Sequence, residues 1–206
     1  MFPLYDINRS RRRPVVVVWL VLINLVVFVW QFFISPDVDQ VVYTYGFRPV
    51  DFWSNPAVEW PALFTSMFMH GGLLHLLGNL WFLWVFGDNI EDEMGRGRFL
   101  IFYLAGGVAA ALVHSLIDGA TNVPMIGASG AISAVLGAYI LLHPRAIILS
   151  LIGWIPIPVP AFIYLGYWAL IQFGQSAAGV EGVAFWAHIG GFIFGMLFAR
   201  RFLHQF

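Results

Sequence analysis

Six stretches of this 206-residue chain, 15–35, 60–87, 99–117, 119–144, 146–180 and 182–199, contain no Asp, Glu, Lys or Arg. A helix crossing about 30 Å of hydrocarbon needs about 20 residues at 1.5 Å each, so every stretch approaches or exceeds spanning length. Only 10% of the residues are charged, where a soluble domain carries roughly a quarter. Lipid must therefore cover most of the surface. A formal net charge of −1 excludes a basic nucleic-acid face. The absence of Cys excludes disulfides, thiolate metal sites, iron–sulfur clusters and a catalytic thiol. Any nucleophile is then an oxygen or a nitrogen, and neither a cofactor nor a metal is expected.

The economical reading is an all-α membrane protein of six helices, spanning about 15–35, 71–87, 97–117, 126–143, 161–177 and 183–201, in one domain covering 1–206. Pro156, Pro158 and Pro160 break the long fifth stretch, so 146–159 reads as an interfacial approach to the span. Pro61 and the Gly71-Gly72 pair start the second span near Gly71, leaving 60–72 as a loop dipping into the outer interface. Lys is absent, so the ten Arg set the orientation. Arg9, Arg11, Arg12, Arg13, Arg96, Arg98, Arg145, Arg200 and Arg201 fall on the side of both termini, and Arg48 alone on the other. Both termini are thus expected in the cytoplasm. The basic stretch before Val15 also resembles the start of a signal peptide, but the apolar run outlasts an h-region and no small-x-small site precedes Ser35.

Polar side chains inside spans are costly and become functional candidates. His70, His75, Asn79, His114, Ser129, Ser133, His143, Gln172 and His188 are those candidates. The second, fourth and sixth spans all start from the outer face, which brings His75, Asn79, Ser129 and His188 to the same outer half on three helices. His75 and Asn79 are i and i+4 and share a face. Small residues four apart (Gly130, Ala134, Ala138; Gly191, Gly195) let the fourth and sixth helices approach closely, setting Ser129 beside His188. A serine hydroxyl attacks poorly unless a base takes its proton, and neutral histidine is the usual base. The oxyanion formed on an amide needs donors, available from the Ser129 N–H, His75 and Asn79. No acidic residue lies within the spans, so the expected unit is a Ser-His dyad. His114, His143 and His204, near span ends, read as interfacial snorkelling residues. Ser133 and Gln172 read as packing or polar glue. Asp88, Glu91, Asp92 and Glu93 read as a solvated turn at a helix end.

Three motifs, His70-Gly-Gly-Leu-Leu-His75-Leu-Leu-Gly-Asn79, Gly127-Ala-Ser129-Gly130 and Ala187-His188-Ile-Gly-Gly191-Phe-Ile-Phe-Gly195, resemble those of the rhomboid intramembrane serine proteases. Glu91 and Gly95-Arg-Gly97 add to the resemblance, which runs from about Tyr45 to Arg200. It implies a six-helix bundle with a membrane-embedded first outer loop and a cavity open to the outer face. Its partners would be the bilayer and single-pass membrane proteins, cut in or near the transmembrane segment. Ser129 looks like the nucleophile, His188 the general base, His75 and Asn79 the oxyanion-hole donors, with His70, Gly127, Gly130, Gly191 and Gly195 in support. The fifth span resembles the substrate gate. The chain departs from the family at Ser133, where many members carry an aromatic residue packing on the base, and at Trp60-Pro61, where a Trp-Arg pair is common. A prokaryotic plasma membrane is the expected location. The competing readings are a catalytically silent rhomboid-like adaptor or chaperone, a small transporter, and a metal site from His70, His75 and His188.

Overall fold

The computed structural model describes residues 1–8, 10–119, 121–178 and 183–203, without the side chain of Ala177. Arg9 and His204 lie outside the described residues. The chain is mostly helical. Helix α1 (Val15–Val29) runs on into a π-helical turn, Trp30–Ile34. Four short helices follow in the first loop: α2 (Val38–Tyr45), α3 (Pro49–Ser54), α4 (Pro56–Glu59) and α5 (Ala62–Thr65). The long helices are α6 (Leu73–Met94) and α7 (Arg96–Ile117), and the remaining ones are α8 (Ser129–Leu142), α9 (Ala161–Ala177) and α10 (Phe185–Phe198). Val15–Ile34 and Arg96–Ile117 are long and apolar enough to cross a membrane. A third span appears if Ala62–Phe68 and Leu73–Met94, bent by 97° at their junction, are taken together. Large apolar side chains such as Val26, Phe33, Ile101 and Leu170 are exposed on the outside of the bundle, where only lipid would cover them.

Helix α8 is the axis of the bundle, packed against α6, α7, α9 and α10. Every residue from Ala131 to Tyr139 is buried, as expected of a helix apolar all round. Its small residues decide how closely neighbours come. A Cβ on Gly137 would lie 2.0 Å from the Phe192 carbonyl oxygen, one on Gly191 2.2 Å from that of Gly130, and one on Gly195 2.0 Å from that of Ala134. Helices α8 and α10 therefore touch backbone to backbone at three levels. With only 14 residues, α8 is about 21 Å long, shorter than the roughly 30 Å of hydrocarbon. Its first residue, Ser129, is half-buried.

Two expectations change. The chain is not all-α: β1 (Phe2–Asp6), β2 (Ile147–Ile152) and β3 (Ile155–Pro160) form an antiparallel sheet in the order β1-β2-β3. The stretch 146–159, read as an interfacial approach, is thus a hairpin. Its prolines stop a helix but suit an edge strand, because alternate positions aim their missing N–H away from the partner. Pro156, Pro158 and Pro160 are such alternate residues, opposite Leu151, Leu149 and Ile147. Nor is Glu91 part of a solvated turn. It is buried and accepts the Val15 and Val16 N–H groups on one oxygen (2.8 and 3.0 Å) and that of Val17 on the other (2.9 Å). It thereby caps α1, whose preceding residue, Pro14, offers no side-chain acceptor.

Arg11, through its N–H to Asp92 (2.8 Å), Glu93 beside His143 (3.7 Å) and Arg98 at the Leu203 carbonyl all gather at one end of the bundle. Strand β1 joins them there: Tyr139 and Asn89 donate to the Asp6 carboxylate at 2.5 and 2.7 Å. Arg48, paired with Asp51 and near Asn122, belongs to the first loop and its contact with the chain before α8. Burial, reinforced by the nearby Asp88, pushes the Asp6 carboxyl up from 3.8 to about 6, against the pull of its hydrogen bonds. Because the folded value lies above the unfolded one, docking of β1 is strongest below about pH 4 and weakens as pH rises through about 6. Amide exchange in Phe2–Asp6, corrected for intrinsic rates, should be faster at pH 7.5 than at pH 4.5. The difference should vanish in Asp6→Asn, and equal protection at both pH values in the wild type would count against this account.

Candidate active site

A cavity of about 810 Å³ opens among α6, α8, α9 and α10, lined by His75, Asn79, Gly127, Ser129, Gln172 and His188. The Ser129 Oγ lies 2.8 Å from the His188 Nε2, and the His188 Nδ1 lies 2.7 Å from the Gln172 Oε1. A carboxamide oxygen can only accept. With the amide oriented this way, the imidazole proton sits on Nδ1, and Nε2 keeps its lone pair for the Ser129 hydroxyl. This is the tautomer that a general base needs. The ring of His188 has Trp168 of α9 on one side (centroids 6.1 Å apart, planes 36° apart) and Phe185 of its own helix edge-on at 6.4 Å.

Across the cavity, the Gly71 N–H donates to the His75 Nδ1 at 3.3 Å, which leaves the hydrogen on Nε2. That nitrogen faces Gly127. A Cβ there would lie 2.7 Å from it and 3.7 Å from the Ser129 Oγ, and Gly127 has φ +119°, a conformation that L side chains rarely adopt. Glycine is thus required at 127 twice over, for its backbone and for the room it leaves. Asn79 donates to the His75 carbonyl at 2.9 Å with one amide hydrogen, leaving a second. The Ser129 N–H opens α8 and belongs to the helix's first turn, where backbone donors lack intrahelical partners. A Cβ on Gly130 would lie 2.7 Å from the Ala110 Cβ, so this glycine seats α8 against α7.

His70 is fully buried before α6, its backbone clamped by Gln31: the Gln31 Nε2 donates to its carbonyl (2.9 Å) and its N–H donates to the Gln31 Oε1 (3.2 Å). Its ring meets that of His75 edge-on at 5.1 Å. Sequence reasoning passed over Gln31, although an amide in a largely apolar run was the available signal. It also took Gln172 for polar glue. Ser133 donates to the Ser129 carbonyl at 2.7 Å and leaves the base alone, so the aromatic faces come from α9 and α10. His114 does not snorkel. It is buried, 3.7 Å from Asp118.

Residues 57–205 match the family model described as the Rhomboid domain. The chain belongs to the rhomboid family. Among similar proteins are the zebrafish mitochondrial presenilin-associated rhomboid-like protein A (34% identical over 70% of this chain and 39% of that protein) and the Bacillus subtilis rhomboid protease GluP (36% over 68% and 26%). A third is the chloroplastic rhomboid-like protein 11 of Arabidopsis thaliana (25% over 93% and 67%). The matches to the first two span about two fifths and a quarter of those proteins. This rhomboid is therefore of a membrane-embedded family that includes proteases. With mitochondrial and chloroplastic relatives beside a bacterial one, the comparisons do not favour the prokaryotic plasma membrane expected from sequence.

Proposed function

We propose that this rhomboid is an intramembrane serine endopeptidase, cutting single-pass membrane proteins in or near their transmembrane segment. The observation that carries the reading is the 2.8 Å contact between the Ser129 hydroxyl and a His188 nitrogen whose lone pair faces it. Ser129 Oγ adds to the carbonyl carbon of the scissile amide as His188 Nε2 takes its proton. The oxyanion is met by the His75 Nε2–H, the free Asn79 amide hydrogen and the Ser129 N–H. Collapse expels the amine, which receives the proton from His188, and leaves an acyl ester on Ser129. Water, deprotonated by the same nitrogen, then hydrolyses the ester and regenerates the hydroxyl.

In the same proposal the chain crosses the bilayer six times as one domain, α8 and α10 being short spans, with both termini cytoplasmic and the cavity opening to the outer face. Supporting this are the arginines gathered at the β-sheet end and the lone Arg48 near Asn122, which precedes α8. Purified protein in liposomes should react with a fluorophosphonate probe, and Ser129→Ala and His188→Ala should not. Unlabelled, folded wild type would favour the catalytically silent adaptor instead, and labelling that survives Ser129→Ala would remove the assigned nucleophile.

A further inference from the structure

The structure assigns to Gln172 the third place in the catalytic line: it is the positioning residue that fixes the tautomer and ring orientation of His188. This inference rests on the protease reading. The spans hold no carboxylate to pair with the imidazole Nδ1. The Gln172 Oε1, at 2.7 Å, is the acceptor found there. Were Nδ1 instead left without an acceptor, the proton could move to Nε2, and a protonated Nε2 cannot take the serine proton. One turn before Gln172, Trp168 closes over the ring face. Helix α9 thus supplies both the acceptor and the aromatic wall that, by resemblance, was expected four residues after Ser129.

A neutral amide orients the base without adding a full charge to stabilise the imidazolium, so its removal costs less than removal of the base. It also ties catalysis to the position of α9. The buried side chains of this helix, Ala161, Tyr164 and Leu165, all lie in its first half, and from Gly166 on none of its described side chains is buried. Gln172 sits in that second half. A small displacement of it from α10 takes Oε1 out of reach of Nδ1.

The test is the rate of fluorophosphonate labelling per folded molecule, measured from pH 5 to 9 with the thermal midpoint, on wild type, Gln172→Leu and Gln172→Glu. Among the described residues, the other titratable side chains near enough to act on His188 are His75 and His114, unchanged in all three proteins. Gln172→Leu should keep the midpoint and lower the plateau rate about 10- to 100-fold. Gln172→Glu restores the acceptor and adds a negative charge, so it should recover most of the plateau while moving the acidic limb up by about one pH unit or more. A purely structural role would move neither the limb nor the plateau at constant midpoint. Labelling of Gln172→Leu at the wild-type rate, or a plateau that Gln172→Glu does not recover, would overturn the assignment. A wild type that fails to label would instead remove the protease reading on which it rests.

Discussion

Turnover of a single-pass substrate in liposomes is expected to fall by about 10⁴-fold or more in Ser129→Ala, by a similar factor in His188→Ala, and no further in the double variant. The non-additivity is the informative part. The two side chains share one proton, so removing either disables the same step and leaves only what binding and the oxyanion donors contribute. Asn79→Ala should cost less, roughly 2.7 to 4 kcal/mol at most, because it removes one donor among several. Losses that multiply in the double variant would mean that Ser129 and His188 act separately, and the 2.8 Å contact would then have no catalytic meaning.

The second large effect separates two kinds of glycine. Gly127→Ala puts a methyl 2.7 Å from the His75 Nε2 at a φ of +119°, on the cavity wall and not between packed helices. Cleavage should fall about 100-fold or more, the size of losing an oxyanion donor, beside a destabilisation of about 1 kcal/mol from the strained φ. Gly195→Ala puts its methyl 2.0 Å from the Ala134 oxygen, between two backbones that cannot yield by rotating a side chain. Forcing α8 and α10 apart should cost at least the roughly 1 to 3 kcal/mol of an overpacked core, lowering the midpoint by several degrees. Measuring both quantities on both variants decides it. A Gly127→Ala protein that melts early but cleaves normally, or the reverse for Gly195→Ala, would sink this division of labour.

Much of this was legible in the residues. Charge-free stretches located the helices because lipid tolerates so few alternatives, and the span at 161–177 coincides with α9. Ser129, His188, His75 and Asn79 could be grouped from helical periodicity and the expected alternation of the spans, and all four line one cavity. The β-sheet was not legible, since β1 meets β2 across more than 140 residues of sequence and nothing local announces such a pairing. Glu91 was misjudged for a related reason: its three partners are backbone N–H groups of α1, and backbone donors carry no sequence signature. Gln172 was seen but undervalued, because its meaning depends on which ring nitrogen it meets.

The loosely held half of α9 has one more consequence. Leu170 and Phe173 are exposed, and in the proposed six-span arrangement acyl chains would complete the packing that protein supplies elsewhere. A helix held in this way tilts when hydrocarbon thickness and apolar length disagree. Under the proposed protease reading, the thickness of the membrane would thereby enter the geometry of the imidazole, and the bilayer would act as an adjustable part of the catalyst.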